Sequence, residues 1–82
     1  MVKVKFEDVL ERKLKKVKDA LIKRKLKSSI KKIIENPQIG KPMMYQRKGT
    51  REVYITQFRL SYVYLREQNL IIFLDLYHKD EQ

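Results

Sequence analysis

The second half of the chain alternates apolar and polar residues with a period of two, and this pattern constrains the fold most strongly. Successive side chains of a β-strand point to opposite faces of a sheet, so such alternation predicts strands. Three short runs show the pattern, at residues 52–56, 59–64 and 70–77. The turn signal Glu67-Gln68-Asn69 between the last two runs predicts a hairpin. We therefore predict a small sheet built from these strands.

The alternation also assigns side chains to the two faces of the sheet. We expect one set to contact the helices: Leu60, Tyr62, Leu70, Ile72 and Leu74. Arg59 has the opposite parity to Leu60, and we expect its face to be concave, basic and open. An arginine held on a rigid sheet face can bind a phosphate group. The alternative is structural, because Arg59 could pair with Asp75 on the neighbouring strand.

The first half of the chain follows a short strand pattern at residues 2–6 with helical periodicity. Two apolar stripes have the spacing of amphipathic helices: Phe6, Val9, Leu10, Leu14 and Val17, then Ile22, Leu26, Ile30, Ile33 and Ile34. Asp19 suits the N-cap of a second helix, with one unbroken helix through Lys18-Asp19 as the alternative, and Asn36-Pro37 ends the helical half. We therefore predict an α+β fold in one domain of residues 1–82, with a helical hairpin packed on the sheet.

The helical half is also strongly basic. Residues 1–35 contain 13 Lys and Arg against 5 Asp and Glu, within a chain of net charge +10. Such a charge favours polyanionic partners, among them nucleic acid, ribosomal RNA and an acidic protein. The alternative is a solvated, lysine-rich surface of the kind found in heat-adapted proteins.

The composition excludes several kinds of chemistry. The chain has no cysteine, one histidine and two glycines, so it offers neither thiolate metal ligands nor a glycine-rich phosphate loop. We expect neither a metal nor a cofactor. No apolar run approaches the roughly 20 residues that cross a bilayer, and we expect a cytoplasmic protein without membrane contacts.

Cations and phenols near one edge of the predicted sheet are the remaining candidates for chemistry. Cleavage of RNA by its own 2′-hydroxyl needs proton transfer and a group that stabilises the charged phosphorane. Arg59 can stabilise the phosphorane, and Tyr77 or His78 can move protons. Three further cations can hold the RNA backbone: Lys48, Arg51 and Lys79.

These residues lie in segments that resemble the RelE/ParE superfamily of toxins from type II toxin–antitoxin systems. The resembling segments are ENPQIGKP at residues 35–42, GTREVYI and FRLSYVY within residues 49–64, and the end of the last strand, DLYHK, at residues 75–79. The resemblance implies a two-helix hairpin packed on a small, twisted, mostly antiparallel sheet. Tyr54 departs from the family pattern because many members have arginine there, and Thr56 stands where many have glycine.

The resemblance also implies an activity. RelE-like members cut messenger RNA in the ribosomal A site, and ParE-like members inhibit DNA gyrase. Arg59 matches the arginine that RelE-like toxins place against the scissile phosphate, and His78 and Lys79 fall where the family carries a basic or proton-transfer residue. We therefore expect a metal-independent, ribosome-dependent endoribonuclease that inhibits translation. Its lysine-rich helices would contact ribosomal RNA, and an acidic antitoxin would neutralise it in a hetero-oligomer. The alternatives are a gyrase inhibitor and an inactive toxin homologue.

Overall fold

The protein folds as two helices on one face of a five-stranded sheet in the computed structural model, which describes residues 1–43 and 49–81. The elements are β1 (Lys3–Phe6), α1 (Asp8–Lys16), α2 (Ala20–Glu35), β2 (Lys41–Pro42), β3 (Arg51–Ile55), β4 (Phe58–Leu65) and β5 (Leu70–His78). The strand order is β1-β5-β4-β3-β2. Only the β1–β5 pair is parallel among these strands. The predicted α+β fold with a mostly antiparallel sheet is confirmed.

The helical hairpin forms where the sequence predicts it. The Oδ1 atom of Asp19 accepts hydrogen bonds from the backbone N–H groups of Leu21 and Ile22, at 2.8 and 3.2 Å. This cap satisfies two N–H groups that have no partner within the helix, so α2 starts as a new helix after α1. Helix α2 ends at Glu35, just before the Asn36-Pro37 pair. None of the described helices is long and apolar enough to cross a membrane.

The hydrophobic core lies between the helices and the sheet. Its buried residues are Leu10, Ile22, Leu26 and Ile33 from the helices and Ile55, Leu60, Tyr62, Ile71, Phe73 and Leu76 from the sheet. Helix α1 packs on β5 and α2 packs on β3. The ring of Phe6 stacks on that of Phe73 with centroids 5.0 Å apart, which ties the parallel edge strand to the core.

A β-bulge in β5 changes which side chains of that strand face the core. Ser61 on β4 pairs with Asp75, but the next residue, Tyr62, pairs with Phe73. Leu74 is therefore an extra residue in the ladder. An extra residue shifts the alternation by one and exchanges the two faces beyond it.

The bulge overturns part of the predicted face assignment. Ile71 and Phe73 are fully buried on the core side before the bulge, and Leu76 is buried there after it. The expectation that Leu70, Ile72 and Leu74 face the helices with Leu60 and Tyr62 is therefore wrong. Tyr77 lies beyond the bulge on the face away from the helices, as the cross-strand partner of Arg59.

Two core-side side chains hold the loop between α2 and β2. The hydroxyl of Tyr62 donates a hydrogen bond to the carbonyl oxygen of Pro37 at 2.7 Å and accepts one from the N–H of Gly40 at 2.9 Å. The Nη1 atom of Arg51 donates to the carbonyl oxygens of Gln38 and Gly40, at 3.1 and 2.8 Å. These bonds fix the short strand β2 beside β3.

Candidate functional site

Arg59 lies near the start of β4, on the face of the sheet that points away from the helices. Its cross-strand neighbours are Tyr54 on β3 and Tyr77 on β5. Residues directly opposite each other in a ladder share a face, so the three side chains form a row across three strands. We call Tyr54, Arg59 and Tyr77 the arginine row. The structure thus brings together two of the predicted catalytic residues, Arg59 and Tyr77.

The guanidinium group of Arg59 is held by the hairpin that joins β3 to β4. Its central carbon lies 3.9 Å from the centroid of the Tyr54 ring, within the range of a cation–π interaction. Its Nη1 atom donates to the carbonyl oxygens of Phe58 at 3.1 Å and Thr56 at 3.4 Å. The side chain therefore has a defined position without a carboxylate partner among the described residues.

Asp75 forms an ion pair with Lys13, and not with Arg59 as the structural alternative predicted. Its Oδ1 atom lies 2.8 Å from Nζ of Lys13 on α1, and the same oxygen accepts a hydrogen bond from the N–H of Leu76. Across the sheet it pairs with Ser61 and not with Arg59. The structural alternative, an Arg59–Asp75 ion pair, is thus not what holds Arg59 in place.

A depression of about 260 Å³ lies beside the arginine row. Its described lining consists of Met43, Thr50, Glu52, Ser61, Leu74, Asp75 and Tyr77. This lining contains two carboxylates and no lysine or arginine, so the depression is not the basic surface that we expected. In residues 1–43 and 49–81 there is no group of three or more side chains that could hold a metal ion.

Glu52 is the residue of this face that sequence reasoning missed. It lies two positions before Tyr54 on β3, so the period of two places it on the same face. Its side chain is buried, with 2% of its surface exposed. The alternation of side chains along β3, which puts Glu52 and Tyr54 on the same face, was the sequence signal that could have placed Glu52 there.

His78 lies on the other face of the sheet. Its cross-strand partner is Phe58, and the two rings meet edge to face with centroids 5.9 Å apart. Its Nδ1 atom is 3.4 Å from a carboxylate oxygen of Asp80. It borders a cleft of about 400 Å³ between the sheet and the turn of the helical hairpin, together with Lys13, Lys16 and Lys18. Tyr77 also borders this cleft, so the structure separates His78 from Arg59 but not from every member of the arginine row.

The two predicted RNA-binding cations that the structure describes, Arg51 and Lys79, lie apart from each other. Arg51 lies on the helix side of the sheet, where it bonds the loop after α2. Lys79 is exposed, and its backbone N–H donates to the carbonyl oxygen of Gln57 at 2.8 Å, which places it beside the turn that holds Arg59. Lys48 lies outside the described residues.

The comparison with known families decides the identity of the chain. The model of the ParE toxin of type II toxin–antitoxin systems (parDE) matches residues 4–82. The chain belongs to the ParE toxin family. It is thus a type II toxin of the RelE/ParE superfamily, as the resemblance implied, although no curated protein sequence matches it.

Solved structures of related toxins share the fold of this ParE-family toxin. The YoeB/ParE toxin from Agrobacterium tumefaciens matches with a TM-score of 0.82 and 14% identity, over 94% of this chain and 98% of that one. A chain of the E. coli RelBE toxin–antitoxin complex matches with a TM-score of 0.80 and 14% identity, over 95% and 96%. A chain of the Mycobacterium tuberculosis RelBE2 complex matches with a TM-score of 0.79 and 22% identity, over 94% and 96%. At these identities the similarity shows a common fold.

Proposed function

We propose that this toxin is a metal-independent endoribonuclease that cuts messenger RNA on the ribosome and so inhibits translation. The observation that carries the proposal is the arginine row, in which Arg59 lies beside Tyr77 on the face away from the core. Negative charge develops on the phosphorane during attack by the 2′-hydroxyl, and a fixed guanidinium stabilises that charge. The phenol of Tyr77 is the proton-transfer group on the same face.

The basic helices would supply the contacts to the ribosome. Lys23, Arg24 and Lys25 are all exposed on α2, and their part of the chain carries most of the positive charge. Lysine and arginine bind phosphate groups without regard to sequence. The helices would therefore attach the toxin to ribosomal RNA, with the arginine row acting on the message. A ribosomal target also implies that the toxin acts in the cytoplasm.

We infer that an acidic antitoxin neutralises the toxin in a hetero-oligomer. The two solved complexes named above contain a toxin with its antitoxin. In this chain the helices carry exposed apolar side chains, with Val9 41% and Leu21 52% exposed, next to many lysines. An acidic partner segment would cover the apolar surface and neutralise the lysines.

Inhibition of DNA gyrase is the second candidate function. The family whose model matches is named for the ParE toxin, which favours this activity. The position of His78 favours it too, because His78 lies on the opposite face from Arg59 and would not contact a phosphate bound at the arginine row. A gyrase inhibitor would act by binding and would need no proton transfer.

A test with purified components separates the two functions. The toxin is incubated with ribosomes that carry a defined message, and separately with gyrase, ATP and supercoiled DNA. The proposed function predicts cuts in the ribosome-bound message, no cuts in the free message and no trapped gyrase–DNA complex. Cleaved DNA trapped on gyrase, with an intact message, would establish the second function. An inactive homologue would change neither substrate.

A further inference from the structure

The guanidinium group of Arg59 makes its hydrogen bonds to the described residues through one nitrogen atom, and its other edge is accessible to a ligand. The hydrogen bonds that it makes within the described residues both use Nη1, to the carbonyl oxygens of Phe58 and Thr56. The Tyr54 ring lies against the guanidinium at 3.9 Å. The Nε–Nη2 edge, which can bind two oxygens of a phosphate side by side, makes no hydrogen bond to residues 1–43 or 49–81 and is left for a ligand.

We propose that Tyr54 is a positioning residue that holds Arg59 with its Nε–Nη2 edge ready for an oxygen pair of a phosphate group. This inference rests on the proposed function, since it names the residue that prepares the phosphate site. A free arginine side chain loses rotamer freedom when it binds an anion. The Tyr54 ring and the two carbonyl groups restrict that freedom in advance, so less is lost on binding.

The surroundings of Tyr54 support a role outside the core. Its side chain is 54% exposed, and Tyr54 is not among the residues that pack against the hydrophobic core. Burial therefore does not account for an aromatic ring at this position. Among residues 1–43 and 49–81, the ring of Tyr54 interacts with Arg59.

The backbone of the β3–β4 turn acts on the same guanidinium. Thr56 has a φ of +53°, a conformation that a β-branched residue seldom adopts. In this conformation its carbonyl oxygen accepts a hydrogen bond from Nη1 of Arg59. Tyr54 and the turn thus both contact the guanidinium, and both belong to one hairpin.

The test is a double-mutant cycle on phosphate binding. The probe is a 2′-O-methyl oligoribonucleotide, which the toxin cannot cleave, and its affinity is measured for Tyr54→Phe and Tyr54→Leu in the wild-type and Arg59→Ala backgrounds. A cation–π interaction of about 0.5–1 kcal/mol corresponds to a loss of about twofold to fivefold for Tyr54→Leu. Tyr54→Phe keeps the ring and should stay within about twofold. In the Arg59→Ala background, Tyr54→Leu should have no further effect.

Two results of the cycle would overturn the proposal. An equal loss from Tyr54→Leu in both backgrounds would show that Tyr54 contacts the RNA directly. An equal loss from Tyr54→Phe and Tyr54→Leu would assign the effect to the hydroxyl group. Thermal unfolding of each variant checks that the fold persists.

A second measurement separates this inference from the proposed function. The ¹⁵N relaxation of the Arg59 Nε–H group in the ligand-free protein reports how mobile the side chain is. We expect a restrained group in the wild type and Tyr54→Phe, and a more mobile one in Tyr54→Leu. If the wild type cleaves no message and binds no oligonucleotide but shows this difference, the function fails and the positioning role stands. Equal mobility in all three proteins would overturn the positioning role.

Discussion

The hydroxyl oxygen of Tyr62 accepts a hydrogen bond from the backbone N–H of Gly40, and the two atoms are 2.9 Å apart. Both residues are buried, so the bond joins the middle of the sheet to the loop after α2. The approach is so close that a Cβ atom at position 40 would lie 2.6 Å from the Tyr62 hydroxyl. A side chain at position 40 would collide with Tyr62, so close packing requires glycine there.

Removing this hydroxyl should lower the free energy of unfolding. Tyr62→Phe leaves the buried N–H of Gly40 without its acceptor and deletes the bond to Pro37. The expected loss is about 1–3 kcal/mol, measured by urea denaturation. Tyr54→Phe is the matched control, because the exposed Tyr54 should change stability by less than about 0.5 kcal/mol. Equal stability of Tyr62→Phe and the wild type would show that these bonds contribute no net stability.

Ionisation of Tyr62 should make stability depend on pH in alkaline solution. Burial raises the pKa of Tyr62 above the ordinary value of 10.0, against the opposing effects of the Gly40 N–H and the nearby Arg51. Above about pH 10 the unfolded chain therefore loses this proton more readily than the folded protein, and stability falls as pH rises.

The measurement is the free energy of unfolding between pH 8 and pH 11 for the wild type and Tyr62→Phe. The decrease above about pH 10 should be steeper in the wild type, and the other tyrosines and lysines contribute equally to both proteins. Parallel curves would mean that the pKa of Tyr62 is the same in the folded and unfolded states.

The helices were predictable from sequence because their signals are local. The 3.6-residue spacing of Ile22, Leu26 and Ile33 predicted which side of α2 is buried. Asp19 predicted the start of α2, because its cap involves only residues 19–22. The order of elements followed from these signals and from the turn residues. The parallel pairing of β1 with β5 is a long-range contact that no local pattern specifies.

The site was less predictable because its geometry depends on register. The alternation correctly placed Arg59 on the face opposite Leu60 and Tyr62. His78 was nevertheless grouped with Arg59 and Tyr77, because all three were expected near one edge of the sheet. The face of the sheet on which His78 lies was not taken into account. The bulge at Leu74 has no sequence signal that we could recognise, so the first half of β5 was assigned to the wrong face.

Replacing Thr56 by glycine should stabilise the protein. Thr56 is a β-branched residue with a φ of +53°, which glycine adopts without a steric penalty. The expected gain is about 1 kcal/mol, measured by chemical denaturation. Gln57→Gly is the matched control, since both substitutions delete the Thr56–Gln57 side-chain hydrogen bond but Gln57 does not have a positive φ. The control should lose stability, and a loss in both variants would mean that Thr56 is not strained.

Salt should slow the association of the toxin with its acidic antitoxin. Exposed charges attract each other over long distances only at low ionic strength, because screening limits the range to about 8 Å at physiological salt. The association rate is measured by stopped flow at several salt concentrations, for the wild type and for a variant with Lys23, Arg24 and Lys25 replaced by Gln. The variant should associate more slowly and depend less on salt. Equal association rates at low and high salt would show that the lysines do not attract the antitoxin and only form a solvated surface.

The central claim is that Arg59 acts on a phosphate at the face of the sheet that points away from the helices, and single-turnover cleavage of a ribosome-bound message tests it most directly. Arg59→Ala should reduce the cleavage rate by on the order of 100-fold, as expected for loss of a group that stabilises developing charge. Its unfolding free energy should fall by no more than about 1–2 kcal/mol, because the substitution removes only the contact with the exposed Tyr54 ring and two hydrogen bonds to carbonyl oxygens. Asp75→Ala is the control, and it should retain most of the activity because Asp75 pairs with Lys13. A folded Arg59→Ala protein that cleaves the message at the wild-type rate would contradict the account.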